Sequence, residues 1–529
     1  MKNTTKYFFL LALLCGIGCF VLFHDFCPYH LLHREQMLLF TYSADQLVGY
    51  LNHPAALSCL IGDFLTQFLL DSGKGAAVIA CVQVLLLAAA YFTCRKWMNG
   101  WFSMMVALVL VSYEVLRFCN IIYPLSGTIS LIGAFALFLA IDTCSGKWSF
   151  SVMALLGTLL CYLCFGYGMF LFVILVMVNQ LSKKKNYLGV VLVPALALAL
   201  PVWGSNNYLM MPADACTYPA TVWSGQLRFE DERLLGLKTE VCKENWDKVN
   251  ELVFEGTPSN IVSACYNLAN AKNHKLPERL MNYYQPAALG MFIPIDSEST
   301  YFSTLLAGEI WFHLGDMTMA EHAAILSMIF SPDHKNVSMV KRMAEINLIN
   351  GDEAAAMKYL RILSNTLYYK QWAADRIPGK ESAEFKKWLT MKRSLLPKED
   401  SLRLSCTDIS RSLHLLLDAN PKNQMALNYL LCCDLLMKDI PTFLKDYERY
   451  HIGAPNRLYS EALMIHLFQK RAKGSEVKET GIHPSVIKEF NHYNQLYNQS
   501  QGNPSALESR YGRTYWFYYH FAKFQEKEL

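Results

Sequence analysis

The chain changes its hydrophobic pattern near residue 203. Before that point, apolar residues run on for about the length of a membrane-spanning helix and break only at short polar clusters. Hydrocarbon about 30 Å thick needs roughly 20 apolar residues of helix. Segments 7–23, 74–94, 101–116, 124–141, 148–164, 166–181 and 187–203 meet or approach that need, so seven spans are expected. The fifth and sixth are short and are expected to turn tightly around Phe165, Gly166 and Gly168, where glycine supplies backbone freedom. Lys2 and Lys6 precede the first apolar run, which continues past Gly18 to Phe23 with no small-residue cleavage site after it. It reads as an uncleaved helix rather than a signal peptide.

Residues 24–73 form a long connection that is neither fully polar nor fully apolar. The first part carries His24, Asp25, His30, His33, Arg34, Glu35 and Asp45. In the second part, 55–70, Leu57, Leu60, Ile61, Phe64, Leu65 and Phe68 recur at helical spacing, while Asp63 and Gln67 lie one turn apart on another face. That pattern predicts an amphipathic helix lying in the membrane interface.

After residue 203 the pattern becomes that of packed helical pairs. Asn336–Leu363 reads as one tetratricopeptide-like unit: a helix ending before Gly351-Asp352, then Ala356 and Tyr359-Leu360 on the next. Trp311, Leu314, Gly315 and Ala320 repeat this pattern, and Gly315 precedes Gly351 by 36 residues, close to the 34-residue tetratricopeptide period. A third candidate begins at Asn420-Pro421, with Lys438-Asp439 in place of Gly-Asp. Residues 242–284 give a further pair, with Trp246, Val249 and Leu252 and then Ile261, Ala264, Cys265 and Leu268 as stripes. The expected architecture is all-α: a polytopic transmembrane domain over 1–203 and a helical-repeat domain over 204–529, its array running from about 240 to 470. Residues 372–400 are charged and weakly patterned. The aromatic run Tyr511–Phe524 is expected to dock as a last helix.

Composition sharpens the division. Of 529 residues, 53% are hydrophobic and 17% charged, with mean hydropathy +0.18; about 25% charged is usual for soluble domains. Residues 1–203 carry 11 Lys/Arg and 7 Asp/Glu, and the remainder carries 37 of each. A disordered chain, a wholly soluble enzyme and a strongly basic nucleic-acid binder are excluded. With the N-terminus inside, Lys2, Lys6, Arg95, Lys96, Lys147, Lys183, Lys184 and Lys185 fall on inner segments, and only Arg34, Lys74 and Arg117 on outer ones. By the positive-inside rule, seven spans then place 204–529 outside the cytoplasm, in the periplasm of a Gram-negative inner membrane.

The chemistry-bearing residues are sparse. Ten of 16 cysteines lie in 1–203, where Cys161 and Cys164 read as packing residues within a span. Cys216, Cys242, Cys265, Cys406, Cys432 and Cys433 follow no disulfide scaffold, although one bridge among the first three is compatible with an oxidising compartment. No zinc-ligand spacing, phosphate loop, nucleotide-binding glycine motif or hydrolase elbow occurs, so no metal or cofactor is expected. Glu114 and Arg117, three residues apart, read as a structural ion pair.

The segments GDFLTQFLL (62–70), YNLANAKNHKLPERL (266–280), YYQPAALGMFIP (283–294) and YGRTYWFYYHF (511–521) resemble an uncharacterised family of bacterial inner-membrane proteins with this layout of spans followed by a helical array. That resemblance implies architecture and no activity. The layout of the first half also resembles the C-type glycosyltransferase superfamily, which takes sugar from a polyprenyl-phosphate carrier. That resemblance implies a general base just after the first span, where Asp25 stands, and substrate-binding groups in Arg34, Glu35, Lys74 and Arg117, the cations among them holding the departing phosphate. Phe26 follows Asp25 where those enzymes carry a second acid.

Two functions follow. The first is an integral inner-membrane protein in the lipid bilayer whose periplasmic array binds a protein or envelope-polymer partner. The second is a glycosyltransferase using a polyprenyl-phosphate-linked sugar, with Asp25 as base. A transporter is disfavoured by the scarcity of charge within the spans.

Overall fold

A computed structural model describes residues 2–143, 146–184, 187–220, 222–331, 334, 336–398 and 409–523. Every regular element among them is a helix. The chain divides into two compact units. The first comprises Met1–Glu232, Lys335–Val337 and Arg361–Ala373; the second comprises Arg233–His334, Ser338–Leu360 and Ala374–Leu529. The first unit thus runs past the composition boundary at 203 and includes two short segments from much later in the chain.

The first unit contains α1 (Lys2–Val21), α2 (Pro28–Gln36), α3 (Ala44–Gly49), α4 (Ala56–Thr66), α5 (Ser72–Cys94), α6 (Gly100–Phe118), α7 (Leu125–Ile141), α8 (Lys147–Phe165), α9 (Gly168–Asn179), α10 (Tyr187–Asn207) and α11 (Pro212–Thr217). α12 (Phe229–Cys242) contains the boundary with the second unit. Among the described residues, five stretches are long and apolar enough to cross a membrane: Thr5–Phe26, Ser72–Cys94, Gly100–Phe118, Trp148–Phe165 and Leu188–Asn207. The fourth and sixth expected spans are present as α7 and α9, with 17 and 12 residues. At 1.5 Å per residue α7 rises about 26 Å and α9, continuous through a wider turn to Lys183, about 24 Å, both short of a full hydrocarbon layer. The turn between α8 and α9 falls at Gly166-Tyr167, within the predicted stretch.

The exposed surface of this unit is rich in large apolar side chains. On α1, Phe9, Leu10, Leu13, Leu14 and Ile17 are exposed while Phe8 and Cys19 are buried. Trp101, Met105 and Val109 on α6 and Val152, Leu156 and Leu160 on α8 are likewise exposed. Contiguous apolar surface on this scale is unfavourable in water and favourable in hydrocarbon.

Helix α4 shows the same inversion. The predicted amphipathic helix forms, and its apolar residues Leu57, Ile61 and Phe64 are exposed. The buried face consists of Ser58, Cys59, Gly62 and Thr66. Small residues at i, i+4 and i+8 let the backbone approach α7 closely, as membrane helices commonly do. A Cβ added at Gly62 would lie 2.7 Å from the Ser126 backbone nitrogen. Ser130 Oγ donates to Ser58 Oγ at 2.9 Å across the same contact. One expectation is corrected: Gln67 is buried and donates to the Phe64 carbonyl at 3.1 Å, so it does not share a polar face with Asp63. Asp63 instead accepts from Tyr50 Oη at 2.7 Å.

In the second unit the predicted helical pairs are present. Helices Tyr301–Leu314 and Met317–Phe330 meet at Gly315-Asp316, Val337–Asn350 and Glu353–Ser364 at Gly351-Asp352, and Gln424–Leu436 and Ile440–Tyr450 at Met437-Lys438-Asp439. Gly315, Gly351 and Lys438 all take positive φ, at 106°, 86° and 58°. The following Asp accepts a backbone N–H in the next helix each time: Met319 at 3.1 Å, Ala355 at 2.9 Å and Thr442 at 3.1 Å. The left-handed residue ends one helix and the Asp caps the next. Ala320 and Ala356 are fully buried. The C-terminal aromatics dock within this unit. Tyr515 and Trp516 are buried, Tyr515 Oη donates to the Leu435 carbonyl and Trp516 Nε1 to the Glu461 carbonyl, both at 2.9 Å. Phe524 lies outside the described residues.

The contact of α4 with α7 gives a direct test. Gly62→Val should cost on the order of 1–3 kcal/mol through overpacking, lowering the thermal midpoint of the purified protein. Gly18→Val, where an added Cβ meets nothing within 4 Å, should leave it nearly unchanged.

Candidate functional site

Of the polar residues expected in the connection after α1, His30, His33, Arg34 and Glu35 lie on α2 and are buried. The first apolar helix, α1, ends in a wide helical turn, Leu22–Phe26, and Cys27 and Pro28 redirect the chain into α2. Cys27 offers no side-chain cap. The carboxylate of Glu232, on α12, takes that place: it accepts the Tyr29 N–H at 2.6 Å and the His30 N–H at 3.0 Å. An anion at a helix N-terminus meets both the free donors and the positive end of the dipole. Burial is nevertheless the larger influence and pushes the Glu232 carboxyl up to about 7, with the two backbone donors opposing.

One turn apart on α2, His30 and Arg34 are turned toward the C-terminal end of α6. Arg34 donates to the carbonyls of Phe118 at 2.8 Å and Asn120 at 2.6 Å, and to that of Tyr123. Its Nε donates to His30 Nε2 at 2.9 Å, and its guanidinium carbon lies 3.9 Å from the Phe118 ring centroid. These carbonyls have no helical partner beyond the last turn, and a cation there also complements the negative helix end. Burial and then the Arg34 charge depress His30 to about 3, so the imidazole is neutral, with its Nε2 2.8 Å from the Phe118 carbonyl oxygen as well as 2.9 Å from Arg34 Nε.

Arg117 occupies a second buried node. Its Nη1 donates to Glu114 Oε1 at 2.6 Å, and Nη2 to the Val222 carbonyl at 3.0 Å. The Tyr123 and Trp223 rings lie 4.2 and 4.7 Å from its guanidinium carbon. Glu114 Oε2 accepts from Tyr123 Oη at 2.7 Å and Thr128 Oγ1 at 3.0 Å. Tyr123 links the two nodes, with its carbonyl on Arg34 and its ring and hydroxyl on Arg117 and Glu114. Glu35 is also buried, and both its oxygens receive the Tyr369 hydroxyl, at 2.8 and 2.7 Å.

Asp25 and Lys74 lie on the exposed surface. Asp25 Oδ1 is 2.7 Å from His24 Nδ1, with both side chains about half exposed. The Lys74 side chain is exposed, and its backbone N–H is capped by Asp71 Oδ1 at 2.8 Å. The structure therefore joins Arg34 to Arg117 through Tyr123, gives Glu35 a separate partner, and leaves Asp25 paired with its neighbour. Glu232, Tyr369, Tyr123 and Trp223 were not singled out in the sequence. Tyr369 stands 334 residues from Glu35, a separation no local pattern reports. Among the described residues no group of three or more His, Cys, Asp and Glu could hold a metal ion. Cys216, Cys242, Cys265, Cys432 and Cys433 are free thiols; Cys406 and Lys185 lie outside the described residues.

A family of unknown function, DUF6057, matches residues 3–522. The chain belongs to that family. No curated protein and no solved structure matches it. Membership thus spans almost the whole chain, both units included, and brings no activity with it.

The Glu232 contact predicts a pH dependence. The folded carboxyl titrates near 7, above its usual value near 4.5, so the folded state holds the extra proton between those values. Stability should then fall as pH rises from about 4.5 to about 7 and level off above. Glu232→Gln should flatten this slope in thermal unfolding series between pH 5 and 8.

Proposed function

We propose that this protein is a membrane-anchored binding protein of the cell envelope. Its first unit sits in the inner membrane, and its second unit is a tetratricopeptide-like array on the periplasmic side that engages a protein or envelope polymer. The observation that carries this reading is an open groove of about 780 Å³ in the second unit. Its walls include Ile261, Tyr284, Leu289 and Ile293, and Asp296 and Glu298 stand on its rim. Apolar side chains alternate there with Ser259, Asn260, Ser299, Thr300 and Ser303, a mixture that suits a bound chain segment, and the two acids favour a segment bearing positive charge. The anchor role is supported by the exposed apolar helices of the first unit and by the lysine and arginine bias of the sequence.

A second reading, transfer of sugar from a polyprenyl-phosphate carrier, is favoured by one observation. Asp25 is an exposed carboxylate at the end of the first span, hydrogen-bonded to an imidazole, an arrangement that can accept a proton. Against it, Arg34 and Arg117 are committed to protein carbonyls and to Glu114, so holding a phosphate would require them to exchange partners.

Photo-crosslinking in cells tests the first reading. A photoreactive residue at Tyr284 should give a discrete adduct that the same residue at the exposed Lys358 does not; identical patterns at both positions would overturn the groove as the binding surface. A reporter fused after Ser205 should be active only outside the cytoplasm. Asp25→Asn separates the two readings: a catalyst should lose about 10²–10⁴-fold in rate, whereas an anchor should complement a deletion fully at unchanged protein level.

A further inference from the structure

The connection between the first two spans contains an apolar groove of about 530 Å³, within the size range of small-ligand sites. Phe40, buried, lines it with Ala44 and Leu47 on one side and Leu60, Ile61 and Phe64 on the other. Phe40 and Phe64 stand edge to face with centroids 6.2 Å apart. None of the lining residues is charged. The polar atoms at its edge are already occupied: Thr41 Oγ1 lies 3.1 Å from Ser43 Oγ and donates to Gln46 Oε1 at 3.1 Å.

In water such a groove would be a liability, since Leu47, Ile61 and Phe64 lining it and Val48, Leu51 and Leu57 beside it are all exposed. Its α4 wall belongs to a helix that buries small residues and turns its apolar side outward, as the spans of the same unit do. The groove is therefore continuous in character with the surface read above as lipid-facing. With no charged residue in its lining and walls that are mainly apolar, it suits a hydrocarbon chain better than a phosphate headgroup.

We propose that this groove, formed by residues 40–47 and α4, binds one acyl chain of a bilayer phospholipid and thereby seals the connection onto the membrane surface. The proposal rests on the membrane placement of the first unit. The favourable term is the removal of apolar area from water, at roughly 25 cal/mol per Å².

The test uses the full chain in nanodiscs of phosphatidylethanolamine and phosphatidylglycerol, doped with a phosphatidylcholine carrying a diazirine at the end of one acyl chain. After photolysis, peptide mass spectrometry should find label on Leu47, Leu60, Ile61 or Phe64, and also on exposed α1 residues such as Leu13 and Ile17. Ala44→Trp should fill the groove and Leu47→Asp should make it polar. Both sites are exposed, so the fold should persist. Each variant should lower groove labelling severalfold while α1 labelling stays unchanged. Groove labelling that is absent or unaffected by both variants, with α1 still labelled, would overturn the proposal alone. Loss of label from α1 as well, in the unaltered protein, would overturn the membrane placement and the proposal with it. Competition by a polyprenyl phosphate but not by unlabelled phospholipid would overturn the assignment to an acyl chain.

Discussion

Two buried guanidinium groups organise the ends of the apolar helices in the first unit. Desolvating a charge is expensive unless each donor finds an acceptor. Arg34 meets that requirement with three carbonyls at and beyond the C-terminal end of α6, and Arg117 meets it with Glu114 and the Val222 carbonyl. Each solution draws in further chain. Tyr123 must sit where it can serve both arginines, the stretch around Val222 and Trp223 must lie over α6, and α2 must be held so that Arg34 reaches across. Glu232 holds the start of α2 by its free N–H groups. A handful of polar contacts thus sets the path of some hundred residues of otherwise apolar helix.

The arrangement also bears on function. A cation that is to grip an incoming phosphate must be unpaired or weakly paired beforehand. Arg34 and Arg117 are neither, and Glu35 is tied by the Tyr369 hydroxyl. The C-terminal end of α6 and the connection that carries α2 therefore read as a braced structure, with Asp25 and His24 left at its surface. Two of the openings among the described residues differ in kind, an apolar one against α4 and a mixed one with Asp296 and Glu298 in the second unit. The two proposals made above, hydrocarbon for the first and a chain segment for the second, rest on that difference in chemistry.

The second unit depends on a recurring turn rather than on a charge. Gly315, Gly351 and Lys438 occupy the same left-handed position, followed each time by an Asp that caps the next helix. Lysine in that position shows that the turn is imposed by the packing of the two helices as well as by residue preference, because a side chain there carries a steric cost that glycine avoids.

Local rules were enough for much of this. Helical periodicity and run length located the apolar helices, because a hydrocarbon layer or a packed core demands a minimum unbroken apolar length. Gly-Asp spacing located the helical pairs, because φ and capping preferences act within a few residues. The Glu114 and Arg117 pair was legible for the same reason, lying within one helical turn. Tertiary structure alone decided the rest. Arg34 and Asp25 look alike in sequence as charged residues after a span, yet one is buried among carbonyls and the other is exposed. The choice was made by groups 80 to 200 residues away, at Phe118, Tyr123 and Glu232. The partner of the other face of α4 was also undecided by its own pattern, since small residues at helical spacing do not say which helix they will meet. Only the fit of Gly62 against Ser126 resolved that, because close approach depends on the shape of the partner.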